Sequence, residues 1–228
     1  MLQRVYFVLV TILAVSFLAA AQTEQPESSR LGEPRVSFES TWKAANPQWF
    51  QIAIDSTGRA TYQSQPHSEP NETPGDPYVL NFTASPKLLR QVFDDAKELN
   101  DFQTDLKYGG KEKIANTGDK SLSYTVGGKT TKAEFNFSPN PKAQELAKLF
   151  QQLSATFELG RQLEYAIRFD KLGVDQRLKQ LESLERDHAA AGLQVLVPTL
   201  ERILNDPTTM NISRQRANFL IYAAKSEK

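Results

Sequence analysis

The fold is decided by the segment WFQIAIDSTGRATYQ, residues 49–63. Aromatic, apolar and β-branched residues stand on both sides of Ser56-Thr57-Gly58, which is the composition of two strands around a turn. The glycine can take the positive φ that a tight hairpin turn requires. The segment therefore predicts two antiparallel strands, at 49–55 and 59–63.

Alternation of apolar and polar residues extends this sheet in both directions along the chain. Residues 36–42 and 78–82 alternate with a period of two, as half-buried strands do. A second hairpin is predicted around Gly127-Gly128, because two glycines favour a primed hairpin turn. Its strands run from Leu122 to the turn and from the turn through Phe137.

Two helices are predicted between and after these strands. Ser85-Pro86 places a capping serine before a proline at the first helical position, and an apolar stripe follows from Leu88 to Leu99. The opposite face of this helix is polar, and we expect it to expose Arg90, Asp94, Asp95 and Glu98. A longer stripe begins at Asn140-Pro141 and continues to Ile167, over roughly seven turns of helix. The predicted fold class is α+β, with an antiparallel sheet of about six strands and two helices on one face.

The sequence after Gly173 has only helical periodicity. Apolar stripes at 174–184, 193–204 and 212–221 predict three helices. Because stable solenoids need about three repeat units, we expect these helices to form a cap packed against the long helix.

Part of this region carries a family resemblance. The run from Leu196 to Ile221, with Asn205-Asp206-Pro207 between its two apolar stripes, resembles one unit of a HEAT-type helical repeat. The resemblance implies that Asp206 and Arg214 cap and bridge the stack. The segments 82–86 and 114–124 are also similar to secreted bacterial α+β domains of unknown function, which implies a location and no activity.

The N-terminus has the layout of a secretory signal peptide. Arg4 precedes an apolar stretch, and the small residues Ala19 and Ala21 match the positions that signal peptidase requires. Cleavage after Ala21 would release a secreted or periplasmic protein. The alternative is an uncleaved membrane anchor, although the apolar stretch is shorter than the roughly 20 residues that span hydrocarbon.

These patterns predict four segments. They are a signal peptide at 1–21, a flexible tether at 22–34, a sheet-and-helix domain at 35–170 and a helical cap at 171–228. The tether is rich in Gln, Glu, Pro and Ser and lacks apolar periodicity.

Composition excludes several classes of protein. The chain has no cysteine, so disulfides, thiolate metal sites and cysteine nucleophiles are ruled out. Its 27 Lys and Arg residues balance 27 Asp and Glu residues, whereas nucleic-acid binders normally carry a basic excess. We therefore expect no nucleic-acid partner, and no membrane association once the signal is removed.

Candidate catalytic motifs fail on their context. Gly127-Gly128-Lys129-Thr130 resembles part of a phosphate-binding loop, but Ser123 stands where that loop needs glycine and a strand follows instead of a helix. His67 and His188, the two histidines of the chain, lack spaced metal-ligating partners. The sequence predicts no catalytic residue, no cofactor site and no metal site.

Aromatic residues in the first strands are the candidates for a binding surface. Alternation assigns Trp42 to the face of Phe38, and leaves Trp49 and Tyr62 as the exposed pair. We expect an exported, non-enzymatic protein that binds a protein partner in the cell envelope. The alternative is a hydrolase or an enzyme inhibitor with a cleft between sheet and cap, using the carboxylates found between Asp94 and Asp105.

Overall fold

The computed structural model describes residues 32–65 and 76–226. The predicted signal peptide and most of the tether lie outside the described residues, as does His67. Six strands form one open antiparallel sheet: β1 (Arg35–Thr41), β2 (Trp49–Asp55), β3 (Arg59–Gln65), β4 (Tyr78–Thr83), β5 (Asp119–Val126) and β6 (Lys129–Phe135). The predicted α+β class and strand number are therefore confirmed.

The strand order is β4-β3-β2-β1-β5-β6, so the two hairpins are joined through β1 at the centre. In the first hairpin Ile54 pairs with Ala60, and Ile52 pairs with Tyr62. In the second, Val126 pairs with Lys129 across Gly127-Gly128, whose φ values of 56° and 77° suit a primed turn. The edge strands are β4 and β6.

Two helices pack on one face of this sheet. The first, α1 (Pro86–Glu98), begins where Ser85 Oγ accepts a hydrogen bond from the Leu88 amide at 3.2 Å. The second, α2 (Pro141–Phe169), begins where Asn140 Oδ1 accepts from the Lys142 amide at 2.9 Å. Both caps use a polar side chain before a proline, which satisfies early helical amides.

The remaining helices are α3 (Gly173–Arg186), α4 (Val197–Asn205) and α5 (Asn211–Ser226). The stripe predicted as one helix over 193–204 is divided. Leu193–Leu196 form a 3₁₀ turn, and α4 starts at Val197 with Pro198 in its first turn. Proline is favoured there because its missing N–H would have no helical partner.

The apolar interior consists of two clusters joined by α2. One lies between the sheet and helices α1 and α2, and contains Phe157. The other lies among α2, α3, α4 and α5, and contains Leu163. A single helix of 29 residues therefore supplies side chains to both clusters.

Helices α2 to α5 form two stacked helical hairpins. Glu164 of α2 accepts from Thr199 and Arg202 of α4, at 2.5 and 2.6 Å. On the other side, Arg216 of α5 pairs with Asp175 and Glu182 of α3. The first helices of the two hairpins, α2 and α4, therefore contact each other, and so do the second helices, α3 and α5.

The residue roles implied by the HEAT resemblance are met in part. Asp206 accepts hydrogen bonds from Thr208 and Thr209 and closes the turn after α4. Arg214 does not bridge the stack: its Nε is buried without a hydrogen-bond partner. The bridging arginine is Arg216, because that position on α5 faces the carboxylates of α3.

Candidate functional site

The predicted exposure of Tyr62 was wrong. Tyr62 is fully buried, between the sheet and α2. Residues directly opposite each other in an antiparallel pair share a face, and Tyr62 is opposite the buried Ile52. Tyr62 therefore faces the core and cannot be part of a surface for a partner.

Trp49 lies on the other side of the sheet, which no helix covers among the described residues. It is partly buried, and its indole Nε1 donates a hydrogen bond to Glu39 Oε1 at 2.9 Å. The structure therefore places Trp49 and Tyr62 on opposite faces and does not bring them together. Whether Trp49 binds a partner stays a prediction.

Tyr62 belongs to a buried polar cluster that sequence patterns did not reveal. Its hydroxyl donates to Glu158 Oε1 at 2.9 Å and lies 3.1 Å from the hydroxyl of Ser154. The Ser64 hydroxyl donates to the same carboxylate oxygen, and Arg161 Nε donates to Glu158 Oε2 at 2.8 Å. These five residues, here called the Glu158 cluster, connect β3 to α2.

The polar groups of the Glu158 cluster hydrogen-bond to one another. Both oxygens of the Glu158 carboxylate accept hydrogen bonds, which offsets the cost of burying its charge. Burial and the nearby Glu158 charge raise the pKa of Tyr62 well above its ordinary value. The phenol therefore stays protonated and cannot act as a base for Ser154.

Two members of the Glu158 cluster, Ser154 and Glu158, also line a groove between the sheet and the helices. The groove has a volume of about 550 Å³ and lies between the β1–β2 loop, α2 and α3. Its lining is made by Ser40, Trp42, Ala45, Asn46, Pro47, Phe50, Thr117, Gln151, Ser154, Ala155, Glu158, Leu159, Gln162, Gln180, Ser183 and Leu184. Of these lining residues, Glu158 alone is ionisable, and its charge is already paired with Arg161.

Trp42 lines this groove directly after β1, which ends one residue earlier than predicted. The Trp42 amide still donates to the carbonyl of Gln48 at 2.8 Å, in the register of the β1–β2 pair, and the bend that follows is closed by the Ala45 amide, which donates to the Trp42 carbonyl at 2.9 Å. Trp42 lines the groove together with Ser40 and Phe50, whose side chains face the core, but its own side chain is 42% exposed. The expected burial of Trp42 was therefore wrong, because alternation predicts which face of a sheet a side chain takes but not whether another element covers it.

A close backbone approach holds Trp42 in position. Gly118 has a φ of 87°, and a Cβ atom at that residue would lie 2.8 Å from the carbonyl oxygen of Thr41. The buried Lys120 ammonium donates to the carbonyls of Thr117, Gly118 and Asn136, at 3.0 to 3.2 Å. Burial lowers the pKa of Lys120. This lysine ties the segment behind Trp42 to the sheet.

The carboxylates of the alternative hydrolase hypothesis are not in the groove. They lie on α1 and the segment after it, and none from Asp94 to Asp105 is among the residues that line the groove. Asp95, expected on the polar face of α1, is buried instead because α2 packs over it.

The pKa of Asp95 is raised, because burial outweighs the opposing effect of Lys142. One Asp95 oxygen lies 3.3 Å from Lys142 Nζ, while the other is buried without a hydrogen-bond partner. Glu98 and Glu145 contact the same ammonium at 3.7 and 3.2 Å and add like charge. The folded state therefore binds a proton at Asp95 more readily than the unfolded chain does.

Asp95 thus predicts a pH dependence of stability. A raised folded-state pKa stabilises the fold below the unfolded pKa of Asp, and this contribution is lost as the pH rises through the folded value. We expect the free energy of unfolding of the native protein, minus that of Asp95→Asn, to be larger at pH 3.5 than at pH 7. Urea unfolding of both proteins at each pH measures this difference in the free energy of unfolding. A difference that grows toward neutral pH would contradict the prediction.

No group of His, Asp and Glu side chains in residues 32–65 and 76–226 is placed to hold a metal ion. Within the same ranges, no helix has the length and apolar character needed to cross a bilayer.

Comparison with known proteins does not assign a family to this chain: no protein-family model and no curated protein matches it.

Proposed function

We propose that this chain is an exported, non-enzymatic protein of the cell envelope that binds a protein partner through the end of its helical stack. The observation that carries the proposal is an exposed apolar surface at that end. Tyr165, Phe169 and Leu172 are 62%, 71% and 82% exposed, although each is a large apolar side chain. Such clusters on otherwise polar surfaces mark interaction sites.

Two turns come together at this surface. Lys171 Nζ, after α2, donates to Thr208 Oγ1, after α4, at 3.0 Å. The half-exposed side chains of Met210 and Ile212 follow on the chain at the start of α5. The rings of Tyr165 and Phe169 lie 5.0 Å apart. Together these five apolar residues form what is here called the apolar end.

The stacking of α2–α3 on α4–α5 supports the proposal. Solenoid repeats pack in this way and use their surfaces to bind other proteins. The HEAT resemblance of the last two helices agrees with the arrangement, and we infer that the cap is a short HEAT-like unit. The signal layout of residues 1–21 supports export to the envelope.

The electrostatics support a non-enzymatic role. The one ionisable residue lining the groove, Glu158, has both carboxylate oxygens engaged, and the phenol beside it is held protonated. Acid-base catalysis needs a group that can exchange a proton near neutral pH. No observation favours the hydrolase alternative over binding.

The test is site-specific crosslinking in cells. A photoreactive residue at position 172 should give an adduct with one envelope protein, and Phe169→Glu should abolish it by placing a charge in the apolar end. Phe169 is exposed, so this substitution should change stability by no more than about 0.5 kcal/mol.

Mass spectrometry of the mature chain should find Gln22 at its N-terminus.

Tyr222→Glu is the matched control, because Tyr222 is equally exposed but lies near the other end of α5. It should leave the adduct unchanged. No adduct, or an adduct that survives Phe169→Glu, would refute the partner surface. An intact Met1 would refute export by signal cleavage.

A further inference from the structure

We propose that the groove between the β1–β2 loop, α2 and α3 binds a neutral saccharide, and that its best ligand is a chain of acetamido sugars. The groove uses none of the residues of the apolar end, so this site is separate from the proposed partner surface. The inference rests on the exposed ring of Trp42, on the amide side chains that line the groove, and on the absence of an unpaired charge among the lining residues.

Trp42 supplies a platform for a sugar ring. Its side chain lines the groove and remains 42% exposed in a protein whose other core-side aromatics are packed together. An indole offers a broad apolar face with an electron-rich surface. The C–H face of a pyranose is flat, apolar and of similar size, so the two surfaces match.

The walls supply hydrogen-bonding groups of the required kind. Gln151 and Gln162 project from α2 into the groove and make no hydrogen bond within the described residues. Each carboxamide has two donors and one acceptor oxygen. A sugar hydroxyl both donates and accepts, and an acetamido group presents one N–H and one C=O. Neutral amides can therefore pair with either without leaving a charge unpaired.

The apolar part of the groove lining is the reason to expect a preference for acetamido sugars. Phe50, Ala155, Leu159 and Leu184 contribute apolar side chains to the lining of the groove. A plain glucose unit carries a hydroxyl at C2, where the acetamido sugar carries its acetamido group, and would place that polar group against this apolar surface. The methyl of an acetamido group would bury apolar surface there.

Other ligand classes fit the groove less well. A charged ligand would find no free counter-charge, since Glu158 is paired with Arg161. An extended peptide is usually held by main-chain pairing to a free strand edge. The strands that line this groove, β1 and β2, are interior strands, and the free edges belong to β4 and β6. The groove therefore offers no such pairing.

The two tryptophans of the chain make the test direct, because Trp42 lines the groove and Trp49 is on the opposite face of the sheet. The mature protein is titrated with chitohexaose, a β-1,4 chain of N-acetylglucosamine, by calorimetry and by tryptophan fluorescence. We expect saturable binding at one site. Trp42→Ala should weaken it about tenfold or more, and Trp49→Ala should leave it unchanged.

Gln162→Leu is a second groove variant, because it removes a carboxamide from the lining and keeps a helix-forming residue on α2. It should also weaken the binding of chitohexaose, and it tests the site if Trp42→Ala fails to fold. Cellohexaose has the same linkage and rings without acetamido groups, and should bind more weakly than chitohexaose. Absence of saturable binding, or equal loss in Trp42→Ala and Trp49→Ala, would overturn the site. Equal affinity for the two sugars would overturn the acetamido preference.

A failed saccharide test does not bear on the proposed partner surface at the apolar end, and a failed crosslinking test does not bear on the groove. Phe169→Glu should bind chitohexaose with unchanged affinity, since Phe169 does not line the groove. Loss of sugar binding in that variant would contradict the separation of the two sites.

Discussion

Replacing Glu158 with alanine is expected to lower the free energy of unfolding by about 3–5 kcal/mol. The substitution would remove the acceptor for the Tyr62 and Ser64 hydroxyls, both of which are buried. It would also leave the Arg161 guanidinium without its ion-pair partner. Each buried donor that loses its acceptor retains its desolvation cost, so the losses accumulate at one site.

Urea unfolding followed by circular dichroism measures this change. Glu145→Ala is the matched control, because Glu145 is on the same helix but its side chain is 63% exposed and pairs with Lys142 in solvent. Exposed pairs contribute at most about 1 kcal/mol. A Glu158→Ala protein no less stable than the control would show that the Glu158 cluster does not hold β3 to α2.

A triple variant that changes three of the five members of the Glu158 cluster tests the same network in a second way. Combining Glu158→Leu with Tyr62→Phe and Ser64→Ala removes the buried donors together with their acceptor. Apolar replacement of buried polar partners together is often neutral, although here Ser154 and Arg161 keep their polar groups. We therefore expect this triple variant to be more stable than Glu158→Ala, which would separate the cost of orphaned donors from the cost of lost packing.

Replacing Phe157 with alanine is expected to destabilise the fold by about 3–5 kcal/mol. The Phe157 ring is fully buried and lies 5.4 Å from the ring of Tyr62 and 4.9 Å from that of Phe82. It also packs against Gly192, at the start of the turn that leads to α4. The cavity left by alanine would therefore weaken contacts of α2 with the sheet and with the helical region together.

Phe169→Ala is the control for this prediction, since it removes the same ring from an exposed position near the end of α2. Its effect should be within about 0.5 kcal/mol. The two variants are compared by urea unfolding at the same pH. Similar stabilities would mean that the contacts of Phe157 are not important for joining the sheet to the helices.

Local signals in the sequence predicted most of the fold. The turns at Gly58 and Gly127-Gly128, and the caps at Ser85 and Asn140, are all where the residues indicated. These features depend on neighbours within a few positions along the chain, so a single sequence carries the information. The predicted class, strand number and two covering helices follow from them.

The errors arose where burial depends on contacts far apart in the sequence. Tyr62 was expected to be exposed, although counting outward from the predicted hairpin turn would have placed it opposite Ile52. Its partner Glu158 is 96 residues away. Asp95 was expected to be exposed because its own helix cannot reveal that Lys142 of another helix covers it.

The sequence by itself determined the strands, the turns, the helix starts and the neutral charge balance, because these depend on local conformational preference and composition. The tertiary structure alone decided which polar groups are buried and which apolar groups are exposed. Trp42 remains exposed at the margin of the face that Phe50 shares, and Glu158 contacts Ser64 only because α2 crosses the sheet. Both the groove and the apolar end arise from the packing of α2 against the rest of the chain, and local sequence patterns carry no record of that packing.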